Sequence, residues 1–303
     1  MRLGMIGLGR MGGNMARRLR RGDIAVVGFN RDRIVTRKLA DECGLIPADS
    51  PEHLISQLER PRLIWLMLPA GEVTESYVEQ MKDLLGAGDI LVDGANSYFK
   101  DSMRRGHELT ALKIDFVDAG VSGGVWGLKN GYALMVGGSQ KALSPLKPAL
   151  ETLAPAPDRG WLHTGPVGSG HFVKMVHNGV EYGMMQAYAE GFALMQARSD
   201  FGLDLAEIAE TWRHGSVVRS WLLDLTAQFL DEDQELTNIE AFVADSGEGR
   251  WTAIEAIEQG IPAPVMSTAL MMRFASQGQH DYAAKILAMM RKGFGGHALK
   301  VAE

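Results

Sequence analysis

The sequence predicts an α/β protein in two parts, a doubly wound, mostly parallel sheet covered by helices and then an all-α domain. Three observations predict it. Short apolar runs alternate with helical patterns through the first half, a glycine-rich loop joins the first strand to the first helix, and after residue 164 the strand pattern stops. Alternation of this kind builds parallel sheets with helices on their faces. We place the domains at 1–164 and 165–303, with a C-terminal tail over 291–303.

The strand-like runs are Leu3–Ile6, Ile24–Phe29, Leu63–Leu68, Ile90–Val92, Ile114–Val117 and Tyr132–Val136. Helical patterns fill Arg10–Arg21, Arg33–Glu42, Val73–Leu85 and Ser97–Leu112. A single long apolar helix, from about Ser169 to Ser199, opens the second half. Thirty residues is longer than the usual globular helix, so it is expected to run through the middle of its domain.

The chain has 303 residues, 46% of them hydrophobic, and a net charge of −6, which argues against a nucleic-acid surface. The basic cluster Arg17, Arg18, Arg20, Arg21 reads as the solvated end of a helix. One cysteine, Cys43, permits no internal disulfide and no cysteine-based metal centre, and the eight histidines are scattered. Met1 leads straight into a strand pattern without a secretory leader, and Leu63–Leu68 is too short to span a bilayer. A cytoplasmic protein without a membrane partner is expected.

Gly7-Leu8-Gly9-Arg10-Met11-Gly12 is a G-x-G-x-x-G loop between a strand and a helix, the context a dinucleotide site requires. Gly7 permits the tight turn, Gly9 lets backbone amides approach a pyrophosphate, and Gly12 lets helix and strand pack closely. The helix N-terminus then faces the negative charge. The first domain is therefore expected to be Rossmann-type. At the end of the second strand, Asn30-Arg31-Asp32 carries both coenzyme signals: a cation that suits the 2′-phosphate of NADP and a carboxylate that suits the ribose of NAD. The choice stays open. Leu68, at the end of the third run, and Asn96, after the Ile90–Val92 strand, complete the expected coenzyme contacts.

On the long helix, Lys174, His177, Asn178, Glu181 and Tyr182 fall at i, i+3, i+4, i+7 and i+8, one face of a helix whose other positions are mostly apolar or glycine. A polar stripe on an otherwise buried helix is costly unless its groups are paired or used. The set suits alcohol oxidation. A lysine can take the hydroxyl proton while hydride leaves, Asn178 can orient the hydroxyl, and Glu181 can donate a proton if burial raises its pKa. Ser122-Gly123-Gly124, after the Ile114–Val117 strand, offers backbone amides and a hydroxyl as a carboxylate cradle. Asn96 holds a similar strand-end position.

Together these residues resemble the β-hydroxyacid dehydrogenase superfamily and, within it, the 6-phosphogluconate dehydrogenases. Gly7–Gly12 resembles the family's coenzyme loop, Ser122-Gly123-Gly124 its substrate signature, and Lys174…His177-Asn178…Glu181-Tyr182 its catalytic helix. Gly247-Glu248-Gly249-Arg250-Trp251-Thr252 resembles a segment in which lysine is usual where Arg250 stands. Arg273 falls where the family holds a phosphate-binding arginine, and Arg291…Phe294-Gly295…His297 resembles a tail that reaches into a neighbouring subunit. The resemblance implies NAD or NADP as coenzyme, no metal, and a homodimer or homotetramer. It implies Lys174 and Glu181 as catalytic. It implies Asn96, Ser122, Gly123, Gly124, His177, Asn178, Tyr182, Arg250, Arg273, Arg291 and His297 as ligands of a phosphorylated sugar acid. The chain resembles the family's short form. Two alternatives stand beside this reading: a non-decarboxylating relative of the 3-hydroxyisobutyrate or tartronate semialdehyde reductase type, which needs no phosphate pocket, and a non-catalytic coenzyme-binding protein.

Overall fold

The computed structural model describes residues 1–278 and 281–295 and divides into two compact units, Met1–Val176 and the chain from His177 on. The first unit begins with β1 (Arg2–Ile6), α1 (Arg10–Arg21), β2 (Ala25–Phe29), α2 (Arg33–Cys43), β3 (Ile46–Pro47), α3 (Pro51–Ser56), β4 (Leu63–Leu66) and α4 (Glu72–Leu84). It continues with β5 (Ile90–Asp93), α5 (Phe99–Ala111), β6 (Asp115–Ser122), α6 (Gly127–Asn130), β7 (Ala133–Gly138), α7 (Gln140–Leu153) and β8 (Trp161–Gly165). These strands form one sheet in the order β3-β2-β1-β4-β5-β6-β7-β8. All neighbours are parallel except β6 and β7. The doubly wound, mostly parallel sheet expected from the sequence is present. Strand order reverses between β1 and β4, and such switch points open a crevice at the carboxyl ends of the strands.

Both faces of the sheet are covered, which explains why its central strands read as continuous apolar runs. In β4, Leu63 and Trp65 pack into the core on the side of α1 and α7, while Ile64 and Leu66 pack into the core on the side of α3, α4 and α5.

The structure differs from the sequence reading at several points. Strands β3 and β8 add to the expected runs; the sequence pattern does not show them, because two residues show no alternation and β8 is an edge strand that exposes Leu162. Strand β4 stops at Leu66, two residues short of the expected run. Strand β6 continues through Ser122, held in register with β7 down to Ser122 opposite Ala133, so Ser122 ends a strand rather than lying within a turn. The arginines of α1 are not a solvated run. Arg18 donates to the carbonyls of Thr152, Leu153 and Ala154 at the end of α7, and Arg20 donates to those of Ile24 and Cys43. Their cations satisfy orphan carbonyls; Arg21 alone of the four is exposed.

Helix α8 (Ser169–Gln196) has 28 residues and crosses the division between the units. The second unit then comprises α9 (Leu205–Arg213), α10 (Trp221–Glu232), α11 (Glu248–Glu258), α12 (Pro264–Ser276) and α13 (Asp281–Gly295). Phe192 of α8 packs with Leu205 and Ala209 of α9 and Leu223, Ala227 and Leu230 of α10. Tyr182 packs with Ala269 and Leu270 of α12. The expectation that the non-polar faces of α8 are enclosed does not hold within one chain: Val173, Val180 and Met184 are exposed, and Leu194 is 75% exposed.

Candidate active site

In the first unit, β1 runs into a loop shaped by its glycines. Gly7 has φ +92°, and a Cβ there would stand 2.3 Å from the Met67 carbonyl oxygen. A Cβ on Gly12 would stand 2.0 Å from the Gly7 oxygen, whereas one on Gly9 would meet nothing within 4 Å. The loop is thus closed beneath Gly7 and Gly12 and open over Gly9. Helix α1 starts after Gly9 with no side-chain cap and no acidic residue in its first turn. An uncapped, acid-free helix N-terminus beside open space fits a pyrophosphate, and these residues fit a dinucleotide. Arg10 is exposed and Met11 half-buried. Leu8 turns its side chain into the core.

The Leu8 N–H donates to Asn30 Oδ1 at 3.0 Å, and Asn30 Nδ2 donates to the Asp32 carbonyl at 3.2 Å. Asn30 therefore braces the coenzyme loop. Asp32 Oδ1 accepts the Ile34 N–H at 2.9 Å and caps α2, while Arg31 is exposed. Leu68 is half-buried against the core, close to Gly7.

Asn96 lies in the loop after β5. Asp93 shapes that loop by accepting from the Ala95 N–H at 3.0 Å, the Ser97 hydroxyl at 2.9 Å and Arg105 at 2.9 Å. The buried Arg105–Asp93 pair gave no sequence signal, because its partners stand 12 residues apart on different elements. Beyond Ser122, Gly123 and Gly124 have φ +133° and +53°, conformations that L side chains rarely adopt. The Tyr132 ring lies beneath this loop, 2.0 Å from where a Cβ on Gly127 would stand, and burial pushes its phenol up to about 12.

Along α8, Lys174, Asn178 and Tyr182 are buried at intervals of four residues. His177 and Glu181 are 41% and 39% exposed, and His177 Nδ1 lies 3.8 Å from Glu181 Oε2. The expected single stripe is therefore two rows, one buried and one open. His177 Nδ1 also lies 3.2 Å from Asn178 Oδ1. In the second unit the Arg273 guanidinium sits 3.4 Å from the centroid of the Tyr182 ring and donates to the Ala244 carbonyl at 2.9 Å. The Tyr182 hydroxyl is buried with no hydrogen-bond partner among the described residues. Arg250 is bonded to Asp245 and lies over the Phe274 ring. A Cβ on Gly249 would stand 2.5 Å from Tyr182 Cε2, so the Gly247–Thr252 segment packs directly on that ring. Arg291 is exposed on α13, and His297 lies outside the described residues.

Two family models match. Residues 2–164 match the NAD-binding domain of 6-phosphogluconate dehydrogenase, and residues 170–298 match the 6-phosphogluconate dehydrogenase C-terminal domain. The chain belongs to the 6-phosphogluconate dehydrogenase family. A relative from Haloferax volcanii, the NAD(+)-dependent decarboxylating 6-phosphogluconate dehydrogenase, is 42% identical over 98% of both chains. The solved Plasmodium falciparum 6-phosphogluconate dehydrogenase, described free and with NADP+ or 6-phosphogluconate, is 29% identical with a TM-score of 0.83. It matches 100% of this chain, which spans 66% of that longer protein. A Mycobacterium tuberculosis 3-hydroxyisobutyrate dehydrogenase shares the fold at 22% identity, with a TM-score of 0.72 over 92% of this chain and 94% of that one.

Proposed function

We propose that this chain oxidatively decarboxylates 6-phosphogluconate to ribulose 5-phosphate and CO2 with NAD+ or NADP+, in the pentose phosphate pathway. The observation that carries the reading is the buried Lys174 with Asn178 one turn further on α8, in a chain of this family. Gly7, Gly9 and Gly12 would hold the coenzyme's pyrophosphate, with Arg10 and Met11 at the helix start and Asn30, Arg31 and Asp32 at the adenosine ribose. When bound, the nicotinamide supplies the acceptor for the C3 hydride.

Lys174 takes the proton of the C3 hydroxyl as the hydride departs. The 3-keto product is a β-keto acid, so its C1–C2 bond breaks with the electron pair drawn onto the C3 oxygen. Lys174 returns its proton to that oxygen, giving an enediol, and Glu181 protonates the carbon that CO2 has left. His177, Asn178 and Asn96 hold the hydroxyls and the reacting carbonyl, and Ser122, Gly123 and Gly124 hold the carboxylate. Tyr182 and Arg273 serve the phosphate, supported by a buried phenol that has no partner among the described residues and lies beneath a guanidinium. Arg250 joins them by exchanging Asp245 for the phosphate, and Arg291 and His297 of a neighbouring copy complete the site. This assignment favours a phosphorylated substrate over the smaller acids of the non-decarboxylating relatives. The assembly is a homodimer or homotetramer, supported by the exposed Ile286, Leu287, Met289 and Met290 on α13.

Initial rates on 6-phosphogluconate with each coenzyme, with released CO2 measured in parallel, test the reading. Coenzyme reduction matched by CO2 is expected, and reduction without CO2 overturns it in favour of a non-decarboxylating dehydrogenase. Lys174→Met is expected to lower kcat by about 10²- to 10⁴-fold, the usual range for general acid–base catalysis.

A further inference from the structure

Helix α8 begins without a cap of its own. The preceding residue is Gly168, with φ +95° and no side chain to offer. The first N–H groups of a helix have no partner inside it, and leaving them buried and unsatisfied is costly. Asp118 of β6 supplies the missing cap across 50 residues of chain. Its Oδ1 accepts the Gly168 N–H at 2.7 Å and its Oδ2 accepts the His171 N–H at 2.8 Å. The side chain is fully buried. A carboxylate at this place also opposes the positive end of the helix dipole.

The approach of helix to sheet is as close as backbone allows. A Cβ on Gly170 would stand 2.5 Å from the carbonyl oxygens of Asp118 and Met135. One on Gly137 would stand 2.5 Å from Asp118 Oδ1, and one on Gly120 would stand 2.4 Å from Lys174 Cβ. From the side, Ser102 Oγ lies 2.7 Å from His171 Nδ1, and the Phe99 ring meets Phe172 edge-on at 5.2 Å. Lys174 follows His171 by three residues, within one turn of the capped end.

We propose that Asp118 is a positioning residue for the oxidation step. It seats the first turn of α8 on β6 and β7 and so places the Lys174 side chain against Gly120. The inference rests on the reading of Lys174 as the base. A misplacement of about 1 Å costs on the order of 100-fold in rate, so a loosened cap is felt at the chemistry.

The test compares wild type, Asp118→Asn and Lys174→Met by kcat per coenzyme-binding site, with sites counted by titration with reduced coenzyme. Asparagine turns an N–H toward one of the two backbone donors. Asp118→Asn is expected to lower kcat per site by about 10- to 100-fold, with little change in the KM for 6-phosphogluconate and a displaced acid limb of the kcat–pH profile. A merely structural role reduces the number of sites and leaves per-site kcat and the pH profile alone; that result overturns the inference. If Asp118→Asn yields no folded enzyme, Asp118→Ser, which keeps one short acceptor, decides by the same readouts. An inactive Lys174→Met beside an Asp118 variant of wild-type per-site kcat sinks only the positioning role. Near-normal turnover in Lys174→Met sinks the base assignment and the inference with it.

Discussion

The phenol of Tyr182 is buried among α8, α11 and α12 residues, with the Arg273 guanidinium over its ring and no partner for its hydroxyl among the described residues. Burying a hydroxyl without a partner costs free energy, which fits the proposed place of this group beside the substrate phosphate. Tyr182→Phe is expected to raise the KM for 6-phosphogluconate about 10- to 150-fold while changing kcat little, since a hydrogen bond to a charged group contributes about 1.5–3 kcal/mol. Steady-state kinetics check the split. Asp32, placed at the adenosine ribose, also caps α2 with its carboxylate. Asp32→Ser keeps a capping oxygen and removes the charge beside Arg31, so the ratio of kcat/KM for NADP+ over NAD+ is expected to rise at unchanged Tm. Asp32→Ala loses the cap as well, at about 1 kcal/mol, or roughly 2–4 °C in Tm. Calorimetry separates the two variants.

Between single residues and domains, the loop after β5 is held by charge rather than by apolar packing. Arg105 bridges Asp93 and Glu75, and Arg104 makes a bidentate contact with Glu75 on α4. The Arg104 guanidinium holds the Glu75 carboxyl below its ordinary value of 4.5, and Arg105 acts in the same direction. A depressed folded pKa means that the native state binds fewer protons than the unfolded one near that pH. The resulting stability is present above the ordinary value and is lost as pH falls through the folded value. Glu75→Gln is therefore expected to be less stable than wild type at about pH 7, with the gap narrowing as pH falls below the ordinary value of 4.5. Urea denaturation above and below that value measures it, and a gap independent of pH contradicts the assignment.

At the scale of the whole molecule, the proposed assembly rests on exposed apolar side chains of α8 and α13. Helix α13 exposes Ile286, Leu287, Met289 and Met290 in one stretch, and α8 exposes Val180 and Leu194. Contiguous apolar patches of this kind mark interfaces. If the proposed assembly forms through this face, Ile286→Glu shifts it toward monomer in light scattering and makes activity fall on dilution. If Arg291 acts in a neighbour's site, that dilution loss is steeper for 6-phosphogluconate turnover than for coenzyme binding.

What the sequence determined by itself is what depends on neighbours along the chain. The alternation of strands and helices, the turn at Gly7, the close packing at Gly12 and the spacing of Lys174, Asn178 and Tyr182 all follow from local periodicity and backbone conformation. Reading His177 and Glu181 into the same buried row went too far, because spacing gives a face but not what covers it. Only the tertiary structure decided which groups meet across the chain. It paired Asp118 with the start of α8, Asp93 with Arg105, and Arg273 with Tyr182. It also turned Asp32 to its own helix and Arg250 to Asp245. A carboxylate carries no mark in the sequence of which distant donor it will accept. That partner is set by where the strands deliver it, and burial then makes the pairing obligatory.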